Sequence, residues 1–201
     1  MKGNYVSAWS GVVKRRTMKK SFETSAWKEC PDNVDEKKKY FIDEENPRVA
    51  TNINQDWCTI IGNTDLPPNK VTSWSIKVLK SGRNDGGCIY IGVAPHGIDQ
   101  NSFNNRNNCG WYFDCYNSWL CSEPPHSYGW PGKEYGPRKG DGEYVHNGDS
   151  VGVVMDVSKR ELSFIVDGVN HGVAYKGIPL DKPLVPCVLL YFADDSVELV
   201  I

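Results

Sequence analysis

The sequence predicts an all-β protein, and the clearest indication lies between residues 149 and 175. Apolar residues alternate with other residues in 151–157 and again in 162–166, which is the period of a strand with one buried face. A polar break at 158–161 and the pair Asp167-Gly168 are turn signals, because Asp and Gly tolerate the positive φ of a tight reversal. The stretch therefore indicates strand, turn, strand, turn, strand, with no helical period.

The remaining strands follow the same logic along the chain. An aromatic strand begins at 40–42, and a short apolar run spans 57–62. Trp74, Ile76 and Val78 alternate with polar residues, and 88–94 is the partner that closes a hairpin through a glycine-rich reversal. Aromatic residues fill both faces of the segment 110–115.

The last two predicted strands lie near the end of the sequence. The run 183–192 is almost continuously apolar, which indicates a strand buried on both faces. A turn at 194–196 separates it from a final strand at 197–201. At 201 residues, the chain is long enough to bury a full core in one domain.

Charge and hydropathy exclude several functions. Lys plus Arg is 23 and Asp plus Glu is 25, a net charge of −2, whereas a domain built for nucleic acid is usually clearly basic. No apolar run approaches the length of a membrane span, and the first residues lack the apolar core of a signal peptide. We expect neither nucleic acid nor a membrane as a partner.

Seven cysteines, an odd number, are spread through the sequence without the short spacing of a metal knuckle. No Asn-x-Ser/Thr acceptor occurs. Both observations favour a reducing, cytoplasmic setting. We expect the cysteines to act as small apolar residues, and we expect no metal and no cofactor.

Catalytic patterns are absent from the sequence. None of the four histidines lies in a hydrolase elbow or a zinc-binding helix motif. The acidic turns at 140–143 and 148–149 lack the context of a phosphate or calcium loop, and no strand presents the paired carboxylates of a glycosidase. We therefore expect a binding protein and not an enzyme.

The central stretch also resembles a known family. Gly148-Asp149-Ser150-Val151-Gly152, Asp156, Glu161-Leu162-Ser163-Phe164, Asp167-Gly168 and Gly172-Val173-Ala174-Tyr175 are similar to the signature of the SPRY domain. The resemblance implies a bent antiparallel β-sandwich, a concanavalin-like jelly roll, that binds partners through its loops. It implies a domain at 22–201 after a basic N-terminal extension at 1–21, which is either a solvated tail or an anionic-surface or nuclear-localisation patch.

The pattern is closest to the SPRY domain of the SPRY and SOCS-box adaptors, although no SOCS box follows. That resemblance implies a site for a short peptide or a protein partner on loops at one end of the sandwich. Carried over to this chain, the site residues are Arg48, Thr72, Ser73, Phe103, Tyr191, Phe192 and Ala193. We expect the module to act as a monomer.

Several alternatives remain open on the sequence alone. Arg48 either contacts the partner or forms an ion pair with one of the acidic residues at 43–45, and Phe103 either faces the partner or tucks under its own loop. The resemblance does not choose between Tyr191 and Phe192 as the site aromatic.

The stretch 117–147 departs from the family pattern, because it is long and carries aromatic residues that look exposed. These are Trp119, Tyr128, Trp130 and Tyr135. It either extends the binding surface or caps one sheet. It also favours the alternative function, a lectin-like carbohydrate-binding module.

Overall fold

A computed structural model describes residues 21–29, 38–82, 88–100, 110–122, 132–136 and 145–201. These residues form a short 3-10 turn, Phe22–Thr24, and thirteen strands: β1 (Tyr40–Ile42), β2 (Val49–Asn52), β3 (Cys58–Ile61), β4 (Val71–Lys80), β5 (Tyr90–Pro95), β6 (Trp111–Asp114), β7 (Trp119–Cys121), β8 (Lys133–Glu134), β9 (Ser150–Asp156), β10 (Glu161–Val166), β11 (Val169–Lys176), β12 (Leu184–Leu190) and β13 (Ser196–Val200).

Seven strands form one antiparallel sheet in the order β1-β2-β13-β4-β9-β10-β11. The predicted central hairpin is its β9–β10 pair, with Glu161 opposite Asp156. The second predicted turn joins β10 to β11, and both Asp167 (φ 51°) and Gly168 (φ 75°) have the left-handed conformation that this tight reversal requires. The strand, turn, strand prediction is therefore confirmed.

The other six strands form a second antiparallel sheet in the order β3-β12-β5-β6-β7-β8. The main core lies between the two sheets, where Trp74, Ile76 and Val78 of β4 point inward as their alternation predicts. The ring centroids of Phe113 and Phe164, one from each sheet, are 5.6 Å apart. Each such buried side chain stabilises the fold by roughly 1.5–3 kcal/mol. The prediction of an all-β sandwich is confirmed.

Strand β12 is buried at all seven positions. Alternate residues face the main core, and the others belong to a second apolar cluster, which lies on the outer side of the six-stranded sheet. That cluster consists of Ile61, Ala94, Tyr112, Val185, Cys187 and Leu189. The prediction that this strand is covered on both faces is confirmed.

The segment 21–29 packs against both sheets. Phe22 contacts Trp74 edge to face, with ring centroids 5.7 Å apart, and Trp27 forms an isolated bridge with Gly62 beside β3. Within the described part of the chain, no helix is long and apolar enough to cross a membrane.

Candidate functional site

Four partly exposed aromatic rings lie side by side at one end of the six-stranded sheet. Trp57 is at the centre, with ring centroids 5.5 Å from Tyr90 and 5.0 Å from Tyr191. Phe192 continues the row, 5.0 Å from Tyr191 in an edge-to-face arrangement. Offset and edge-to-face contacts at these distances are favourable for aromatic pairs. We call Trp57, Tyr90, Tyr191 and Phe192 the aromatic end surface.

Strand register brings these rings together. In the six-stranded sheet β12 lies between β3 and β5, with Leu190 opposite Cys58 and Leu189 opposite Tyr90. Trp57 immediately precedes β3, Tyr90 begins β5, and Tyr191 immediately follows β12. The start of β3, the start of β5 and the end of β12 therefore lie at the same end of the six-stranded sheet, and each supplies one aromatic ring.

The loop 191–195 carries two of these rings and is closed by Asp195. The Asp195 carboxylate accepts hydrogen bonds from the backbone amides of Tyr191 (3.2 Å) and Phe192 (2.8 Å) at Oδ2. Its Oδ1 accepts from the amide of Gly82 (2.7 Å), just beyond β4. Burial raises the pKa of Asp195 to about 6, against the lowering effect of these three amide donors.

Charged pairs border the aromatic end surface. Lys80 Nζ lies 3.0 Å from Asp194 Oδ2 on one side. On the other side Lys39 Nζ lies 2.9 Å from Asp56 Oδ2 and also donates to the carbonyl of Trp57. The hydrogen bond from Lys39 lowers the pKa of Asp56. The Lys80–Asp194 pair is solvent-exposed and contributes little to stability, whereas the Lys39 side chain is partly buried.

The structure places Tyr191, Phe192 and Ala193 together on or beside this surface. Tyr191 and Phe192 are both partly exposed and in contact, so both rings are available to a partner. Phe103 lies outside the described residues. The described chain before it ends at Gln100, whose carbonyl accepts from the amide of Thr59 on β3.

Thr72 and Ser73 lie at the opposite end of the sandwich. They are near the start of β4, where Val71 pairs with Asp156, whereas the end of β4 at Lys80 pairs with Ser196 beside the loop 191–195. The eight residue-to-residue steps from Thr72 to Lys80 span about 26 Å in a strand. The structure therefore does not bring Thr72 and Ser73 to the aromatic end surface.

Arg48 is held within its own chain. Its Nε donates to the carbonyl of Ser25 (3.2 Å) and its guanidinium Nη2 to the carbonyl of Glu23 (2.8 Å). These bonds take the place of the expected ion pair with residues 43–45, and the partner contact of Arg48 stays a prediction. Strand β2 begins directly after Arg48, so the guanidinium anchors the N-terminal segment to the start of this strand.

Sequence reasoning missed Trp57 and Tyr90 as site residues. The sequence places Trp57 in an apolar run and Tyr90 in a strand, whereas in the structure Trp57 immediately precedes β3 and Tyr90 begins β5. The signal that the sequence offers is position, because each aromatic residue lies at or near the start of a predicted strand. Only the pairing of β12 with both β3 and β5 makes them neighbours of Tyr191.

The stretch 117–147 needs one correction. Tyr135, which looks exposed in the sequence, is buried, and its hydroxyl oxygen accepts from the amide of Phe164 (3.1 Å) and donates to the carbonyl of Gly172 (2.7 Å). Trp119 on β7 is partly exposed. Tyr128 and Trp130 lie outside the described residues.

The described cysteines have the environment of structural residues. Cys58, Cys115 and Cys187 are buried, and the five described cysteines are all free thiols. Burial raises the pKa of Cys187 to about 12, so the thiol stays neutral and is a poor nucleophile. Among the described residues, no group of three or more His, Cys, Asp or Glu side chains is placed to hold a metal ion.

A cleft of about 820 Å³ lies at the end of the sandwich where β4 begins. The 3-10 turn, the segment 63–70 and the segment 180–184 form its walls. It contains none of the predicted site residues, and the Phe22 ring that lines it is buried against Trp74. The aromatic end surface is therefore the stronger candidate for partner recognition.

Comparison with known proteins places the fold among solved structures. A family model described as the SPRY domain matches residues 71–201. The SPRY domain of human HERC1 has a TM-score of 0.59 at 16% identity, covering 80% of this chain and 91% of that one.

A second human SPRY domain has a TM-score of 0.55 at 14% identity, with coverage of 81% and 95%. The Drosophila melanogaster neuralized NHR1 domain has 0.55 at 10% identity, with 88% and 98%. No curated protein matches the sequence. At these identities the likeness to the solved structures shows the fold.

Proposed function

The chain belongs to the SPRY family, whose domains are in general protein-interaction modules, and we propose from this that it binds a protein partner through the aromatic end surface. The observation that carries the proposal is the row of four partly exposed rings in mutual contact. We expect the partner to contact this row of rings with a short peptide segment in an extended conformation. Binding alone, without catalysis, is the proposed activity.

The physics of the surface supports this proposal. Aromatic side chains provide large contact areas and lose little conformational entropy, because few bonds rotate. Hot spots of protein interfaces are enriched in Trp and Tyr for this reason. Trp57 is held from both sides by Tyr90 and Tyr191, so the surface is largely formed before a partner arrives, which reduces the ordering cost of binding.

The rim of the surface would fix the direction of the peptide. The Lys80–Asp194 and Lys39–Asp56 pairs put one positive and one negative charge on each side. Such rim charges contribute mainly to orientation and association rate. We further propose a monomer that works in the cytoplasm, in keeping with the free thiols of the described cysteines.

The proposal is tested with a phage-displayed peptide library selected on the wild-type protein. The affinity of a selected peptide is then measured for Trp57→Ala, Tyr191→Ala and Phe192→Ala. We expect at least one of these variants to bind about 30-fold more weakly, the loss typical of a hot-spot residue. The matched control is Leu180→Ala, because Leu180 is 40% exposed at the opposite end of the sandwich.

Each variant must keep the melting temperature of the wild type. Unchanged peptide affinity in all three aromatic variants would show that the peptide binds outside the aromatic end surface. A glycan array probed with the wild-type protein distinguishes carbohydrate binding, the alternative function, from peptide binding. Strong glycan binding that Trp119→Ala abolishes, without any selected peptide, would replace this proposal.

A further inference from the structure

Asp195 joins two segments of the chain that are far apart in sequence. Its Oδ2 accepts the amides of Tyr191 and Phe192, and its Oδ1 accepts the amide of Gly82. The Asp195 backbone takes part as well, because its carbonyl accepts from the amide of Asn52 at the end of β2. One residue thus ties the loop 191–195 to the ends of both β2 and β4.

Among the described residues, the carboxylate performs this role without a cation. Asp195 is completely buried, and no described Lys, Arg or His pairs with it; Lys80 pairs with Asp194 instead. Within this part of the chain, neutral amide donors balance its negative charge. Burial of a carboxylate under these conditions favours uptake of a proton.

The segment on the far side of the carboxylate touches the aromatic loop closely. A Cβ atom added at Gly82 would lie 2.5 Å from Phe192 Cβ and 2.9 Å from the Ala193 carbonyl oxygen. The backbone of Gly82 is thus packed directly against Phe192. The hydrogen bond that fixes Gly82 to Asp195 therefore also restricts the position of the Phe192 ring.

We propose that Asp195 is a positioning residue for the aromatic end surface, and that a proton added to its carboxylate releases Gly82 from the loop 191–195 and weakens partner binding. The statement about the partner rests on the proposed function. The statement about the loop depends only on the geometry around Asp195.

The chemistry of protonation indicates which contact is lost. The proton goes to one carboxylate oxygen, which becomes a hydroxyl and a poorer acceptor. Oδ2 already holds two amides and remains the carbonyl oxygen, so the hydroxyl forms at Oδ1, where only Gly82 is bound. The pKa of Asp195 is raised to about 6 by burial, so this step occurs in mildly acidic solution.

The direction of the pKa shift distinguishes release of the loop from unfolding of the whole protein. Because the pKa in the folded state is above its usual value of 3.8, the stabilising contribution of Asp195 is complete below pH 3.8 and is lost as the pH rises through 6. Acidification therefore weakens the Gly82 contact while this group increases the stability of the folded state. In simple acid unfolding, the Gly82 contact and the stability of the folded state would both decrease.

Other charged groups lie on the elements packed around Asp195. Among the described residues these are Asp194, Lys80, Asp56, Lys39, His146 and Asp149. His146 belongs to the turn whose Asn147 accepts from the amide of Ser81. Because this turn lies beside the Gly82 segment, the experiment uses His146→Gln as a control.

The test is a pH titration of the 15N-labelled protein by NMR, from about pH 7.5 to 5. We expect the Gly82 amide resonance to shift with a midpoint near the pKa of about 6 in the wild type. The shift should persist in Asp194→Asn and His146→Gln and disappear in Asp195→Asn. The 13Cγ resonance of Asp195 in the wild type reports the same titration without any substitution.

Two results would overturn the inference. One is a Gly82 shift that remains in Asp195→Asn. The other is an Asp195 13Cγ resonance that titrates while the Gly82 amide does not move. If Asp195→Asn does not fold, the second comparison in the wild type still decides.

The binding arm uses a peptide selected on the wild-type protein, measured at both ends of the pH range. We expect its affinity to fall about fivefold in acid, the contribution of one net hydrogen bond, in His146→Gln as in the wild type. Equal affinity at both pH values despite the Gly82 shift would overturn the statement about binding. Failure to select any peptide would count against the proposed function, and the NMR titration would remain the test of the loop.

Discussion

Replacing Tyr135 by Phe removes one oxygen atom from the inside of the sandwich. That oxygen fills a gap in a sheet, because the β10–β11 register shifts between Ser163 and Ile165 and leaves Phe164 without a partner on β11. The Tyr135 hydroxyl takes the place of that partner, accepting from the Phe164 amide at 3.1 Å and donating to the Gly172 carbonyl at 2.7 Å.

The substitution therefore leaves a buried donor, the Phe164 amide, without its partner, whereas the Gly172 carbonyl belongs to an exposed residue and can bind water. A buried unsatisfied group costs about 1–3 kcal/mol, so we expect Tyr135→Phe to lower the free energy of unfolding by about 1–3 kcal/mol. For a protein of this size the melting temperature should fall by about 3–10 °C. Chemical denaturation followed by tryptophan fluorescence gives the free energy directly.

Tyr116→Phe is the matched control, because the Tyr116 hydroxyl has no hydrogen-bond partner among the described residues. It should change the free energy of unfolding by less than about 0.5 kcal/mol. A Tyr135→Phe protein as stable as the Tyr116→Phe protein would refute the reasoning. It would mean that Phe164 and Gly172 find other partners at no cost.

Three further predictions concern single residues. Gly92→Ala should prevent folding, because the new Cβ atom would lie 1.9 Å from the Trp111 carbonyl oxygen; soluble protein with the wild-type circular dichroism spectrum would contradict this. Arg48→Ala should lower stability by about 1–3 kcal/mol through loss of its bonds to the carbonyls of Glu23 and Ser25, and a peptide affinity that falls without any change in melting temperature would instead make Arg48 a partner contact. Stability should fall as the pH rises above 9, because burial raises the pKa of Cys187 from 9.0 to about 12 and its neutral form is favoured only in the folded state. Cys187→Val should weaken this alkaline loss in denaturation curves, and an identical pH profile would contradict the assignment.

The sequence predicts the sandwich well because its strands have a strong pattern. Alternation on β4, β9 and β10 reflects one buried face, and this pattern can be recognised without knowing which strands pair with each other. The continuous apolar run of β12 predicts two buried faces. In the structure one of these faces belongs to the second apolar cluster around Val185 and Cys187.

The candidate site is harder to predict, because it is assembled by register. Trp57 and Tyr191 are far apart in the sequence and meet only because β12 pairs with β3. Resemblance to a family predicts Tyr191 and Phe192 as site residues, and both lie on the aromatic end surface. It groups Thr72 and Ser73 with them, whereas the length of β4 places those two at the other end of the sandwich.

Two side chains make contacts with the backbone that the sequence does not predict, and the physical reason is shared. Arg48 and Tyr135 look available in the sequence because each is near polar or turn-forming residues. Both are bound to backbone groups of distant segments, Arg48 to the 3-10 turn and Tyr135 to the β10–β11 irregularity. Backbone groups that need a partner are invisible in a pattern of side chains, because every residue carries them.

The position of β13 has a consequence for synthesis of the protein. This strand lies between β2 and β4, bonded to both. Until residues 196–200 leave the ribosome, β2 and β4 have no neighbour on that side, and each exposes an open strand edge. Nascent chains with such edges are prone to pair with one another. A stop codon ahead of residue 196 should therefore produce aggregates and not a smaller folded domain.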